Sequence, residues 1–201
     1  MNVIHTDNEN DELKVKILDA AEARFRTYGY GKTTMAEIAK DVNMSAANLY
    51  RYFQNKQDIA VECSDRCMSN RSHTIREAVR EAGSSASERL RVFVLSSLRS
   101  NLDEFENSPK ISELIDLISK KHKELVKDKI QAQCAIIAEI LAYGNETGEF
   151  AVDDVIKTAG TVHASLVLFD FPLFDGFFSH EQFEHMANNV VDLLISGLKK
   201  N

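Results

Sequence analysis

Residues 33–56 have the sequence TTMAEIAKDVNMSAANLYRYFQNK, and two short helical segments within this stretch decide the fold. Thr34 is followed three residues later by Glu37, which is the spacing of a capping box at a helix start. A short helix is therefore predicted over residues 35–41. Asn43 stands in the following turn, where Asn tolerates a left-handed backbone better than most residues with a side chain.

The second segment, residues 45–53, is predicted to form another short helix with one buried and one outer side. Ser45 can cap its start, and Leu49 and Phe53 have the spacing needed to pack against the first segment. The outer positions hold Ala46, Ala47, Asn48, Tyr50, Arg51 and Tyr52. A short helix presented in this way after a tight turn is the part of a helix-turn-helix that enters the major groove of DNA.

Apolar residues recur at helical spacing along the rest of the chain, and no strand pattern is present. One helix is predicted from Leu13 to Tyr28, with a stop at Gly29 and a loose polar tail over residues 1–10. Six further helices are predicted: one begins near residue 55, one follows the turn at residues 83–85, and the others begin near residues 109, 121, 153 and 180. The sequence predicts an all-α protein with an N-terminal three-helix helix-turn-helix domain over residues 1–54. A C-terminal six-helix regulatory and dimerisation domain is predicted over residues 55–201.

Charge is distributed unevenly along the chain. The whole chain carries a net charge of −7, yet residues 13–57 contain eight basic and four acidic residues, a net charge of +4. A basic module joined to an acidic body is drawn to a polyanion by its basic face. Ordinary solvated surface charge explains the same count equally well, so the charge pattern supports nucleic-acid binding only together with the helix-turn-helix.

The composition excludes several other classes of protein. No secretory signal and no apolar stretch of roughly 20 residues is present, so we expect a cytoplasmic protein that makes no membrane contact. The cysteines, Cys63, Cys67 and Cys134, suit a reducing compartment better than a disulfide framework. No catalytic triad spacing, paired-histidine helix or glycine-rich phosphate loop is found. We therefore expect neither an enzyme nor a bound cofactor or metal.

The motifs around the helix-turn-helix resemble those of a known family. The run Thr33 to Ala39, the segment Ser45 to Tyr50, and Tyr52, Phe53 and Lys56 are similar to the DNA-binding domain of the tetracycline-repressor family. The resemblance covers about residues 11–60. Two positions depart from the family pattern: Asn43 replaces the usual Gly, and Ala46-Ala47 stands where a basic residue or Gly is common.

The resemblance, together with the geometry of the motif, implies a role for each outer residue. Phosphate contacts, which set the register on DNA, are expected from Thr33, Thr34, Tyr50, Tyr52 and Lys56. Ser45 begins the recognition helix, Asn48 is the best candidate to read an adenine, and Ala46 and Ala47 can touch thymine methyls. Arg51 can reach a phosphate or a guanine.

Each of these roles has a plainer structural alternative. The two tyrosines can instead be packed between helices, and Asn48 can be a solvated polar residue. For Thr34, helix capping and a phosphate contact are compatible.

Three features of the C-terminal part have several possible interpretations. Cys63 and Cys67 share an apolar helical stripe, which favours buried thiols over a metal or redox site. His163 is predicted to be a hydrogen-bonded core or interface histidine rather than a catalytic base. The phenylalanines between residues 169 and 178 must be buried against a partner subunit, the domain core or a ligand.

The functional prediction is a DNA-binding transcriptional regulator, most simply a repressor that binds a palindromic operator as a homodimer. The family implies that the two C-terminal helices pair between subunits and that a small apolar or amphipathic effector releases the operator. The expected ligand pocket is lined by Phe93, Ser97, Cys134, His163 and Phe169. The alternatives are a helical dimerisation or sensor protein without sequence-specific DNA binding, and a helical enzyme or metal-binding protein.

Overall fold

The computed structural model describes residues 4–108, 110–170 and 177–199. Within these ranges the chain forms ten α-helices and no strand, which confirms the all-α prediction. The helices are α1 (Ile4–Tyr28), α2 (Met35–Asp41), α3 (Ala46–Leu49), α4 (Lys56–Glu81), α5 (Ala86–Asn107), α6 (Ile111–Lys121), α7 (Lys123–Glu146), α8 (Val155–Ser165), α9 (Val167–Asp170) and α10 (His180–Leu198). None of them is long and apolar enough to cross a bilayer.

Helix α1 begins earlier than predicted. Residues 4–10 were expected to belong to a loose tail, but they are helical and continuous with the rest of α1. The chain has no proline or glycine before Gly29, so nothing in this stretch breaks a helix once the downstream turns have formed. Gly29 ends α1 as predicted, in a left-handed conformation with φ of 87°.

Two other predicted helices have different lengths in the structure. The recognition segment was predicted to be helical over residues 45–53, but α3 covers only Ala46–Leu49. After Leu49 the backbone tightens, since the amides of Arg51 and Tyr52 bond to carbonyls three residues back, at Asn48 and Leu49. The helix predicted to begin near residue 153 is divided at Leu166 into α8 and the short α9.

The described residues group into two compact units that interleave along the chain. The first unit is the described part of Met1–Met68 and Ser108–Val126, and the second is that of Ser69–Asn107 and Lys127–Asn201. The N-terminal helix-turn-helix is therefore grouped with α6, a helix that follows it by about 60 residues. The domain boundary predicted after residue 54 stays a prediction.

The first unit is built around the inner faces of its helices. Its largest fully buried side chains are those of Phe25 from α1, Ile38 from α2, Leu49 from α3 and Ile59 from α4, together with Ile17. Polar contacts attach α6 to this unit. Arg26 donates from Nη1 to Ser108 Oγ at 2.7 Å, and the amide of Gly31 donates to Glu113 Oε2 at 2.7 Å.

The second unit has one large apolar cluster, to which α5, α7, α8, α9 and α10 contribute. One close approach inside it depends on a glycine. A Cβ built on Gly144 would lie 2.2 Å from Cδ2 of Phe150 and 3.0 Å from Cβ of Ala86. The absent side chain of Gly144 therefore lets the Phe150 ring pack directly on the backbone of α7.

Glu149 holds the start of α5 in the second unit. Its Oε2 accepts from the amide of Ala86 at 2.6 Å, and its Oε1 accepts from the amide of Ser87 at 3.0 Å and from the Ser85 hydroxyl at 3.0 Å. A carboxylate in this position satisfies amides that the helix itself leaves without an acceptor.

Candidate nucleic-acid interface and cavity

Helix α2 is fixed at both ends. At its start Thr34 forms the predicted capping box, because its hydroxyl accepts from the amide of Glu37 and its own amide donates to Glu37 Oε2 at 2.9 Å. Along the helix, Arg24 of α1 makes a two-pronged ion pair with Asp41, with Nη2 at 3.0 Å from Oδ1, and its Nη1 lies 3.5 Å from Glu37. The hydrogen bonds between these side chains raise the pKa of Arg24 and lower that of Asp41.

The turn after α2 has the predicted left-handed residue. Asn43 has a φ of 55°, the conformation that Asn tolerates better than most residues. The amide of Met44 donates to the carbonyl of Ala39 at 2.9 Å, which closes the turn. Ser45 then caps α3, since its hydroxyl accepts from the amide of Asn48 at 3.1 Å.

Helix α3 and the residues after it present a polar outer surface. Leu49 and Phe53 are buried, as predicted, whereas Ala47, Tyr50 and Arg51 are exposed. Tyr50 has 53% of its surface accessible. Ala46, Asn48 and Tyr52 are half-buried. The phenol of Tyr50 is therefore placed for an external contact, while Tyr52 combines packing with partial exposure.

Thr33 is placed differently from the prediction. Its side chain was expected to hold a phosphate, but it is 1% exposed and its hydroxyl donates to the carbonyl of Gly29 at 2.9 Å. This bond satisfies a carbonyl at the C-terminal end of α1, which has no partner inside its helix. The side chain of Thr33 therefore joins α1 to α2. Thr34, next to it, is exposed.

Lys56 is half-buried, and its ammonium group makes hydrogen bonds within the protein. Its ammonium donates to the carbonyls of Tyr30 at 2.6 Å and Thr33 at 2.7 Å, and it lies 4.2 Å from the centroid of the Tyr30 ring. Burial lowers the pKa of Lys56, a shift that the nearby carboxylates oppose. Two of the three ammonium donors are used internally, which leaves one for a phosphate.

Two exposed cations next to the recognition segment were not among the predicted DNA contacts. Lys32 precedes α2 and Lys40 lies in its last turn, and both are exposed. Across the described ranges, neither makes an ion pair within 4 Å. The basic count over residues 13–57 already contained both residues, but helix periodicity gave no reason to select them.

The second unit contains a cavity at four of the five predicted pocket positions. Phe93, Ser97, His163 and Phe169 line it, together with Val94, Gln133 and Leu166. The cavity volume is about 10 Å³, which is room for roughly one water molecule. His163 is buried and its Nε2 lies 2.9 Å from Gln133 Oε1, so the prediction of a hydrogen-bonded core histidine is confirmed.

Cys134, the fifth predicted pocket residue, does not line this cavity. One residue is a rotation of about 100° around a helix, so on α7 Gln133 faces the cavity and Cys134 does not. Gln133 is a polar residue among apolar neighbours, and this feature of the sequence could have indicated that it lies at the cavity. Cys63 is buried, as predicted, and burial raises the pKa of its thiol to about 12, whereas Cys67 is only half-buried.

The phenylalanines that follow α8 have different environments. Phe169 belongs to the core and to the cavity wall. Phe178 packs edge-on against Phe183, with ring centroids 5.5 Å apart, and Phe177 is 77% exposed. Phe171 and Phe174 lie outside the described residues. In the described part of the chain, no group of three His, Cys, Asp or Glu residues could hold a metal ion.

Family comparisons match both parts of the chain. Residues 17–63 match the model described as bacterial regulatory proteins, tetR family, and residues 86–191 match the model of the tetracyclin repressor-like C-terminal domain. The second match alone covers more than half of the chain.

The chain belongs to the tetracycline-repressor family.

This membership confirms the resemblance found in the helix-turn-helix, and it assigns the chain to a class of regulators rather than enzymes. Among curated proteins, the chain is similar to IcaR, the negative transcriptional regulator of the biofilm operon icaADBC of Staphylococcus epidermidis. The two are 37% identical over 57 residues, which is 28% of this chain and 31% of IcaR. The similarity thus spans about a third of the relative's length.

Solved structures of the tetracycline-repressor family share the fold over almost the whole chain. A regulator from Mesorhizobium loti aligns with a TM-score of 0.78 at 20% identity, covering 95% of this chain and 98% of that one. SmeT, the repressor of a Stenotrophomonas maltophilia multidrug efflux pump, aligns in its triclosan complex with a TM-score of 0.64 at 14% identity. That match covers 94% of this chain and 93% of SmeT. At these identities the likeness establishes the fold alone.

Proposed function

We propose that this tetracycline-repressor family member is a cytoplasmic repressor that binds a palindromic DNA operator as a homodimer and releases it when a small molecule binds. The observation that carries the proposal is the form of the recognition segment. Leu49 and Phe53 anchor it in the core, and Tyr50 and Arg51 are exposed on the other side. IcaR and SmeT are a negative regulator and a repressor by name, which favours repression.

The DNA contacts are proposed on the exposed and half-buried residues of this surface. Asn48 is the candidate for base reading, because its amide can pair bidentately with adenine. Ala46 and Ala47 offer methyl contacts to thymine. Thr34, Tyr50, Tyr52 and Arg51 would hold the backbone, aided by Lys32 and Lys40 and by the remaining donor of Lys56.

Dimerisation is proposed to involve α8 and α10. Ile156 on α8 and Leu193 on α10 are each 75% exposed, which is unusual for large apolar side chains. Gly160 on α8 and Gly197 on α10 have open space around them, so another helix can approach closely there. Two copies of a short recognition helix on two half-sites also supply the contact area that specific binding needs.

Effector release is proposed to begin at the cavity lined by Phe93, Ser97, His163 and Phe169. The triclosan complex of SmeT shows that a protein of this fold can bind a small aromatic molecule. A ligand shifts the equilibrium between operator-binding and released states only if it binds them with different affinities. Coupling of this kind typically amounts to about 1–3 kcal/mol.

The test is selection of bound sequences from random duplex DNA with the purified protein, followed by affinity measurements on the recovered site. We expect a palindrome, bound with an affinity that falls steeply as salt rises. Y50F combined with Y52F should weaken binding about 3- to 10-fold, the value of lost hydrogen bonds. Y28F is the matched control, because Tyr28 is equally exposed at the end of α1.

Two outcomes would contradict the proposal. Recovery of no preferred sequence would favour the alternative of a helical dimerisation or sensor protein without sequence-specific DNA binding. Equal affinity of the double tyrosine variant and the parent for the selected duplex would remove the recognition segment from the interface.

A further inference from the structure

Three exposed lysines lie close together in sequence at the junction between α6 and α7. Lys120 and Lys121 are the last two residues of α6, and Lys123 is the first residue of α7. Lys120 is paired with Asp116 at 2.7 Å. Within the described ranges, Lys121 and Lys123 make no ion pair shorter than 4 Å. Two ammonium groups without a carboxylate partner therefore flank His122, the residue that separates the two helices.

Helix stability explains only part of this cluster. A cation in the last turn of a helix is favoured by the negative end of the helix dipole, which accounts for Lys120 and Lys121. Lys123 is at the opposite, positive end of α7, where a cation is disfavoured. An anion bound beside Lys123 would relieve this repulsion, because the amides at the start of a helix also attract a negative group.

The side chain of His122 holds the junction against the start of α4. Gln57 Nε2 lies 2.9 Å from His122 Nε2, and His122 Nδ1 lies 3.0 Å from Glu124 Oε1. Gln57 directly follows Lys56, the residue whose remaining donor is proposed to hold a phosphate. Lys121 and Lys123 are thus one residue away from a contact with α4 that lies next to the proposed DNA surface.

We propose that Lys121 and Lys123 form a second phosphate-binding surface, which contacts the backbone of the same DNA duplex that the recognition segment binds. The inference rests on the proposed function and extends the DNA contact to the α6–α7 junction. A duplex fits this surface better than a small phosphorylated molecule does. Both lysines are exposed, and an isolated ion pair at an exposed site contributes little. A polyanion instead gains by releasing its condensed counterions when several cations contact it.

The first experiment measures the rate at which a small reagent acetylates each lysine of the full chain, with and without duplex DNA, by mass spectrometry. We expect DNA to slow the acetylation of Lys121 and Lys123. Lys157 and Lys199 are exposed controls in the second unit, and their rates should stay the same. Unchanged rates at Lys121 and Lys123 would overturn the inference. Equal protection by inorganic phosphate would overturn it too, because it would indicate a site for small anions.

The second experiment measures DNA affinity as a function of salt for K121Q/K123Q. This variant should bind DNA about 10-fold or more weakly at about 0.1 M salt, because each phosphate contact contributes about 0.9 to the slope of log affinity against log salt. The slope should therefore fall by about 2 per subunit. K157Q/K199Q changes the net charge equally and should leave affinity and slope unchanged. Parent-like affinity and slope in K121Q/K123Q would overturn the inference.

The inference and the proposed function can fail separately. The loss in K121Q/K123Q should be the same on the selected duplex and on a scrambled duplex of equal length, because phosphate contacts carry no sequence information. Selection of no preferred sequence would contradict the proposed function, whereas protection of both lysines by the scrambled duplex would still support the second surface. A selected palindrome that K121Q/K123Q binds as tightly as the parent would overturn the second surface alone.

Discussion

The ammonium of Lys56 donates a hydrogen bond to the backbone carbonyl of Tyr30 at 2.6 Å and lies over the ring of the same residue. The first residue of α4 is thereby joined to the loop between α1 and α2. We therefore expect Lys56 to contribute to the stability of the first unit as well as to the DNA contact proposed for it.

Replacing Lys56 with Met should destabilise the protein by about 1–3 kcal/mol, because the carbonyls of Tyr30 and Thr33 lose a charged donor. Operator affinity should fall as well. The matched control is K40M, since Lys40 is exposed and makes no such bonds in the described part of the chain. K40M should leave the urea midpoint unchanged and lower the salt slope of DNA binding by about one charge. Equal stability of K56M and the parent would contradict the structural role of Lys56.

Charges on the exposed apolar residues of α8 and α10 should separate the subunits. I156E and L193E each place a carboxylate where we expect a partner helix, so sedimentation at micromolar concentration should show monomers that keep their helical circular dichroism. K157E is the control, because Lys157 is exposed next to Ile156. Dimers that persist in the I156E/L193E double variant would exclude these residues from the interface.

The pH dependence of stability should include a contribution from Glu149. Burial raises its pKa, but the hydrogen bonds from Ser87, Ala86 and Ser85 outweigh this effect and leave the pKa lowered. A carboxyl whose pKa is lower in the folded state stabilises the protein above its unfolded pKa of about 4.3. That stabilisation is lost as the pH falls through the folded pKa.

E149Q should therefore be less stable than the parent at pH 7, by about 1–2 kcal/mol, because it loses charged hydrogen bonds. The difference should shrink when urea unfolding is repeated at pH 3. E88Q is the control, since Glu88 lies exposed in α5, the helix whose start Glu149 holds, and the pKa of Glu149 does not depend on it. A stability difference that is the same at both pH values would contradict this account of Glu149.

Gly144 should not tolerate a side chain. G144A forces a methyl group into the space of the Phe150 ring, and overpacking of this kind costs about 1–3 kcal/mol. Thermal unfolding should show a lower midpoint for G144A than for the parent. An unchanged midpoint in G144A would mean that Phe150 can move away at no cost.

The sequence predicted those features that depend on neighbours along the chain. Thr34 and Glu37 are three residues apart, so their capping box follows from local geometry, and Asn43 was identified by the turn it occupies. The internal hydrogen bonds of Lys56 were not predicted, because its carbonyl partners are 23 and 26 residues away. Thr33 was assigned to phosphate for the same reason, since nothing local indicates that its side chain is buried.

The residues of the cavity were likewise predicted only in part. Phe93, Ser97, His163 and Phe169, which were expected at the ligand pocket, line a cavity, whereas α7 contributes Gln133 to it and not the expected Cys134. An error of one residue in the assumed orientation of α7 is enough to make this exchange.

The interleaving of the two units bears on how members of this family can be recombined. Residues 1–68 without residues 108–126 would leave Gly31 and Arg26 without Glu113 and Ser108, the partners that α6 and its preceding residue supply. A hybrid regulator joined at a single point after the helix-turn-helix would inherit a foreign α6 against its own Gly31 loop. A transplant of DNA specificity that retains this chain's stability needs two exchanged segments, not one.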